Sequence, residues 1–289
     1  MRRTTMSSSV AVLLLVLGTG CASGSGEKDR VAGKPGGGSG AVTSATKSPD
    51  GRPVDIVRAA VAKARATSAR IDGTVVVRGG DGESVLSLAG PFDLAADRGR
   101  LSVDFPDGAV DHMDEVFHGG RVYLSQAVPQ GHWAVIDRDK GRAHSLLRAP
   151  LNDPEHVLRQ ASAIRDVSDR GTTTIDGRPV HLFGGTLDHR TLTLGLADEH
   201  RERLDTAREA MGGGLPASAL VWVDEAGRPA RVELSATLPT ESVVVTLNLT
   251  DFGTSVKVTV PDASRTTPTD SVSGVLPGET PRVRRRRPG

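Results

Sequence analysis

Between residues 86 and 105 the apolar side chains fall on every second position. Leu86, Leu88, Phe92 and Leu94, with Gly90 among them, share one face of an extended chain, and Leu101, Val103 and Phe105 repeat the alternation beyond the Asp97-Arg98-Gly99 turn. A period of two leaves no apolar stripe on a helix, so this stretch commits the chain to a half-buried sheet. Further strands follow at short intervals: Arg121 to Ser125 after the Gly119-Gly120 turn, then Trp133 to Ile136, so that residues 71–137 read as an antiparallel meander. Strands return at 172–188 around Asp176-Gly177. They continue as Ala219 to Val223, Ala230 to Leu238, Val243 to Leu249 and Val256 to Val260, joined by turns containing Gly227, Pro239 and Gly253.

Three segments switch to the helical period. Val54, Val57, Val61 and Ala64 recur on one side, with Pro53 suited to the helix entrance. Asp153-Pro154 supplies a capping aspartate and a first-turn proline ahead of Val157, Leu158, Ala161 and Ile164. Leu204, Ala207 and Met211 make a thin stripe on a strongly charged helix that Gly212, Gly213 and Gly214 terminate. No Pro/Gly/Ser linker interrupts residues 53–262, so they read as one domain. The fold class is α+β, a large curved antiparallel sheet with few helices to cover it.

The ends differ in character. Arg2 and Arg3 precede an apolar run from Val10 to Leu17 and the small residues Gly18, Thr19 and Gly20, which together form an export signal over residues 1–20. That run is well short of the roughly 20 residues needed to span a bilayer. Cys21 follows directly, as the lipidated cysteine of a bacterial lipoprotein box does, although Gly18 occupies the slot where such boxes usually carry Leu. Residues 21–52 are a Gly/Ser-rich tether spanning about 30 Å as a random coil. Residues 263–289 read as a disordered tail with a terminal arginine run.

Cys21 is the only cysteine, so no internal disulfide is available and a hydrophobic core must hold the fold. Taking Arg2, Arg3 and the five arginines at 282 and 284–287 from a net charge of +1 leaves about −6 for the rest, which does not suit nucleic-acid binding. The arginine run is either a solvated tail or a contact for anionic lipid headgroups or wall polymers.

Catalytic signatures are missing. The eight histidines, at 112, 118, 132, 144, 156, 181, 189 and 200, have no H-E-x-x-H or paired-cysteine spacing, so no metal site is expected. No G-x-S-x-G elbow, phosphate-cradling G-x-x-x-x-G-K or dinucleotide G-x-G-x-x-G is placed between a strand and a helix, so neither an enzyme nor a cofactor is expected. Asp104, Asp107, Asp111, Asp114 and Glu115 lack the calcium-loop pattern and read as a solvated strand connection. Asn248-Leu249-Thr250, a glycosylation triplet, falls on a predicted strand and means little there.

The order of elements over residues 53–262 resembles the LppX/LprG-type lipoproteins, related in shape to the LolA and LolB lipoprotein carriers. The resemblance is carried by Gly73, by Gly120-Arg121-Val122-Tyr123-Leu124 followed by Trp133, and by Asn152-Asp153-Pro154 before Val157 and Leu158. It continues through Ile175-Asp176-Gly177 and Val221-Trp222-Val223-Asp224 with Gly227. The Gly-rich tether and basic tail have no counterpart in it. It implies a half-barrel sheet with helices packed in its concave side and an apolar cavity for acyl chains, where each buried methylene contributes roughly 0.8 kcal/mol. The one-sided strand positions are the candidate lining: Leu86, Leu88, Phe92, Leu101, Val103, Val122, Leu124, Leu182, Leu220, Leu234, Val245 and Leu247, with either parity free to face inward. Trp133 and Trp222 either line the entrance or close the ends of the core. The expected function is a non-enzymatic lipoprotein anchored on the outer face of the cell membrane through Cys21, carrying or presenting a lipid or lipidated glycan in the envelope. The alternative is an envelope sensor or interaction module with a filled core, since a packed sheet needs the same alternation. No protein partner is specified.

Overall fold

A computed structural model of the protein describes residues 50–269, apart from 80–81, 107–109 and 128–130. The export segment, Cys21, the tether up to residue 49 and the arginine run lie outside the described residues. Helix α1 (Pro53–Arg65) comes first, with Pro53 in its first turn. Six strands follow: β1 (Ser68–Gly79), β2 (Gly82–Asp93), β3 (Arg98–Asp104), β4 (His112–His118), β5 (Arg121–Leu124) and β6 (Trp133–Asp137). A loop with two short 3-10 turns leads to α2 (Pro154–Ser162), where the Asp153 side chain accepts a hydrogen bond from the Glu155 amide at 2.9 Å.

The second half begins with the hairpin β7 (Arg165–Ile175) and β8 (Arg178–Thr186), turning at Asp176 and Gly177, both with positive φ. Helices α3 (His189–Leu192) and α4 (Asp198–Ala210) precede β9 (Ala217–Asp224), β10 (Pro229–Thr237) and β11 (Glu241–Thr250), and a short β12 (Thr266–Pro268) is last. Among the described residues the twelve strands form one open, curved sheet in the order β12-β6-β5-β4-β3-β2-β1-β11-β10-β9-β8-β7. All neighbours are antiparallel except β12 and β6. The α+β half-barrel reading of the sequence therefore holds.

Parity decides what the sheet covers. Ile71, Val75, Leu86, Leu88, Phe92, Leu101, Val103, Phe117, Val122, Leu124, Val221, Leu234, Val245 and Leu247 belong to one buried cluster with Val57, Ala60, Val61 and Ala64 of α1 and Val157, Leu158 and Ala161 of α2. Helix α1 packs on α2 and on β1, β7, β9 and β10, and α2 also meets β10, so the helices occupy the concave side. Curvature is helped by close approach at two glycines. A Cβ on Gly90 would lie 2.0 Å from the Arg100 carbonyl oxygen, and one on Gly99 would lie 2.3 Å from the Phe92 ring.

Two expectations need correction. Val256 to Val260 form no strand: both edges of β11 are already taken by β1 and β10, so the chain leaving β11 finds no ladder to join, and only Val256 is buried. The next pairing comes at the far edge, where Thr266 to Pro268 run parallel to Trp133 to Val135. Glu115 is no solvated connection either. It shares the inward parity of Met113 and Phe117 on β4 and is completely buried. Among the described residues no helix is long and apolar enough to cross a membrane.

Candidate functional site

The candidate lining residues separate into three groups. Phe92, Leu101, Val103, Val122, Leu124 and Leu234 are at most 1% exposed and sit inside the packed core. Leu86, Leu88, Val245 and Leu247 are also buried but border interior voids. Leu182 and Leu220 do not join them. They are half-buried and have the opposite parity to Phe183 and Val221, beside Trp222, which pairs with Leu182. Trp222 carries the Arg231 guanidinium 5.7 Å from its ring, and Trp133 pairs with Thr266 at the start of β6. Neither tryptophan borders the cleft described next.

That cleft, about 710 Å³, opens where the concave face meets α4. Val77, Leu146, Leu196, Leu204, Ala207, Leu238 and Pro239 supply its apolar wall, and Ser84, His144, Ser145, His200, Arg203, Thr240 and Glu241 supply polar groups. Its size lies within the range of about 300–1,000 Å³ common for small-molecule sites. Val77, Ser84 and Ser145 also line a void of about 40 Å³ completed by Val75, Val85, Leu86 and Arg148. Val75 borders a third void of about 10 Å³ against Leu88, Val157, Val245 and Leu247. The three spaces follow the inward face of β1 and narrow steeply into the core.

The walls differ in rigidity. The loop carrying His144 to Leu146 is tied to the start of α4: the Ala143 amide donates to Gly195 O at 2.8 Å and the Ala197 amide to Ala143 O at 2.9 Å. Leu147 and Leu151 hold left-handed backbone conformations while buried, so packing pins this loop in a strained shape. Helix α4 is held far less firmly. Leu204 is its single buried residue, and Leu204 faces the cleft.

Behind the inner void lies a buried polar group. Glu115 accepts from the Asn152 side chain at 2.7 Å, Arg148 donates to Asn152 Oδ1 at 3.3 Å, and the Arg148 guanidinium lies over Phe105 at 5.8 Å. Burial pushes the Glu115 carboxyl up to about 8, against the pull of Asn152 and Arg148. Two larger hollows carry more charge. One of about 1040 Å³ is lined by Arg65, Arg121, Arg138, Arg142 and Arg159 with Asp97, Asp137, Asp139, Asp153 and Glu155, and acyl chains gain little from such walls. Another, of about 770 Å³, mixes Arg70, Asp72, Arg178, Asp224, Arg228 and Arg231 with Ile175, Val180, Leu249 and Phe252.

Sequence reasoning missed most of the cleft. Leu146 and Leu196 lie in segments without a period, Val77 sits near the end of β1, and Leu238 follows directly after β10. The Leu204 and Ala207 stripe was the one available signal. It also missed the meeting of His144 with Glu199 and His200, which no local spacing announces.

No protein-family model matches the chain, and no curated protein does. Solved structures do. The chain is similar to the lipoprotein LppX of Mycobacterium tuberculosis. Identity is 13% over 71% of this chain and 97% of that one, with a TM-score of 0.43. LprF of Mycobacterium bovis is similar at 12% identity over 72% of this chain and 96% of that one, with a TM-score of 0.44. A putative outer membrane lipoprotein-sorting protein domain of Vibrio parahaemolyticus is similar at 12% identity over 69% and 91%, with a TM-score of 0.29.

Proposed function

We propose that this protein is a membrane-anchored envelope lipoprotein that takes the acyl chain of a lipid or lipidated glycan into the cleft beside α4 and carries or presents it. The observation that carries the reading is the cleft of about 710 Å³ whose apolar wall continues along β1 into the core. Entry would come from α4. Beyond its start, which the Ala143–Ala197 hydrogen bond ties down, one buried leucine contributes about 1.5–3 kcal/mol, the His189–Asp205 pair at 2.8 Å adds a surface contact, and Gly212 and Gly213 follow with positive φ, so the C-terminal part of the helix is the wall that moves most cheaply. The acyl chain would then displace α4 and extend toward Leu86 and Leu88. A carrier makes and breaks no bond, and the reading assigns no reaction. Cys21 would fix the body within reach of the membrane through its tether.

A second reading has an observation in its favour. The interior voids of about 40 and 10 Å³ have room for at most a few water molecules between them, as a filled-core interaction module would have it.

The two separate on uptake of a fluorescent fatty acid. Val77→Phe plugs the passage between the cleft and the inner void and is expected to abolish uptake while preserving the fold. Leu182→Phe, on the other face, is expected to leave it intact. Equal uptake by both variants, or none by the unaltered protein, removes the cleft from the account. The anchor has its own test: Cys21→Ala should shift the protein from the membrane fraction to the soluble one, and persistence in the membrane would exclude the lipid anchor.

A further inference from the structure

At the rim of the cleft two chain segments distant in sequence bring ligand-type side chains together. His144 stands on the loop tied down by Ala143, and Glu199 and His200 occupy the first turn of α4. One ring nitrogen from each histidine and a carboxylate oxygen of Glu199 all lie within 4.8 Å of one another. His200 Nε2 and Glu199 Oε1 are 3.1 Å apart, close to the edge of about 3.3 Å in a tetrahedron whose ligands stand about 2.0–2.1 Å from zinc. The imidazoles meet edge to face with centroids 5.6 Å apart, and the His144 nitrogen lies within 4.8 Å of both other donor atoms.

Two imidazoles and one carboxylate are the donor set of a borderline divalent ion, and three protein ligands leave a position for water.

We propose that His144, Glu199 and His200 form a binding site for a divalent transition-metal ion of the zinc type, which ties the first turn of α4 to the His144 loop across the cleft mouth. The ion would add a clamp to the one helix that packing holds weakly. This site needs no lipid, so it stands or falls separately from the carrier reading.

The test uses the full chain, stripped with chelator and titrated calorimetrically with Zn²⁺, with Co²⁺ as a spectroscopic substitute. One equivalent of Zn²⁺ is expected, together with the visible absorption of four-coordinate Co²⁺. His144→Gln and His200→Gln should each weaken binding by at least about tenfold. His112→Gln, which removes an exposed ring paired with Asp104 on β3, should not change it. Should either histidine variant fail to fold, Glu199→Gln, whose side chain is 63% exposed, reads the same loss. No binding by the unaltered protein, or equal affinity in the site variants and the His112 variant, overturns the site.

Discussion

The side chain of Asn152 donates to Glu115 across 2.7 Å, linking the approach to α2 with a carboxyl that the sheet buries completely. The other carboxyl oxygen, Oε2, has no hydrogen-bond partner, and burial raises the group from 4.5 to about 8. The folded state therefore keeps a proton that the unfolded chain releases. Stability from this group is complete below pH 4.5 and is lost as pH rises toward about 8, at up to roughly 1.4 kcal/mol per unit. Glu115→Gln should match the unaltered protein near pH 4 and become the more stable of the two by pH 8, as read by urea unfolding across the range. A constant difference at every pH would contradict the buried neutral carboxyl.

His156 on α2 acts in the opposite direction. Burial, aided by Arg159 and opposed by Asp153, lowers it from 6.5 to about 4. Its contribution is complete above pH 6.5 and is lost as pH falls toward about 4, because the unfolded chain takes up a proton that the folded one refuses. His156→Met cannot be protonated, so its melting temperature should fall less than that of the unaltered protein between pH 6.5 and 4. Parallel curves would show that His156 is not neutral in the fold.

Arg138 grips Asp153 with Nε at 2.8 Å and Nη2 at 2.6 Å, bonds Asp97, and lies over the Phe117 ring at 5.4 Å. Asp153 is 4% exposed and caps α2, so Arg138→Met leaves a buried carboxylate without its cation. A loss of about 3–5 kcal/mol is expected. Asp153→Asn keeps a capping oxygen, and in the double variant the loss should be well below the sum of the two single losses. Additive losses in denaturant unfolding would mean that the pair is not coupled.

The sheet was legible because its signal is local. Leu86 to Phe105 alternate, Asp153-Pro154 caps a helix, and Asp176-Gly177 turns a hairpin, each requiring only neighbours in sequence. Topology was not local, and Val256 to Val260 shows why: a good strand pattern makes no strand when β11 has both edges occupied. Glu115 reads by charge as one of several neighbouring acids, although Met113 and Phe117 on either side set its inward parity. The cleft was the least legible part, since Leu146, Leu196 and Leu204 come from a loop, a bridge and a thin helix that only tertiary structure assembles.

The central claim is that the space beside α4 holds an acyl chain. Its most direct test is native mass spectrometry of the protein purified without detergent from its own host, compared with the Val77→Phe variant prepared in the same way. The account predicts a co-purifying acylated species on the unaltered protein and its absence from the variant. A bare protein mass that also stays bare after incubation with phospholipid and glycolipid would contradict it.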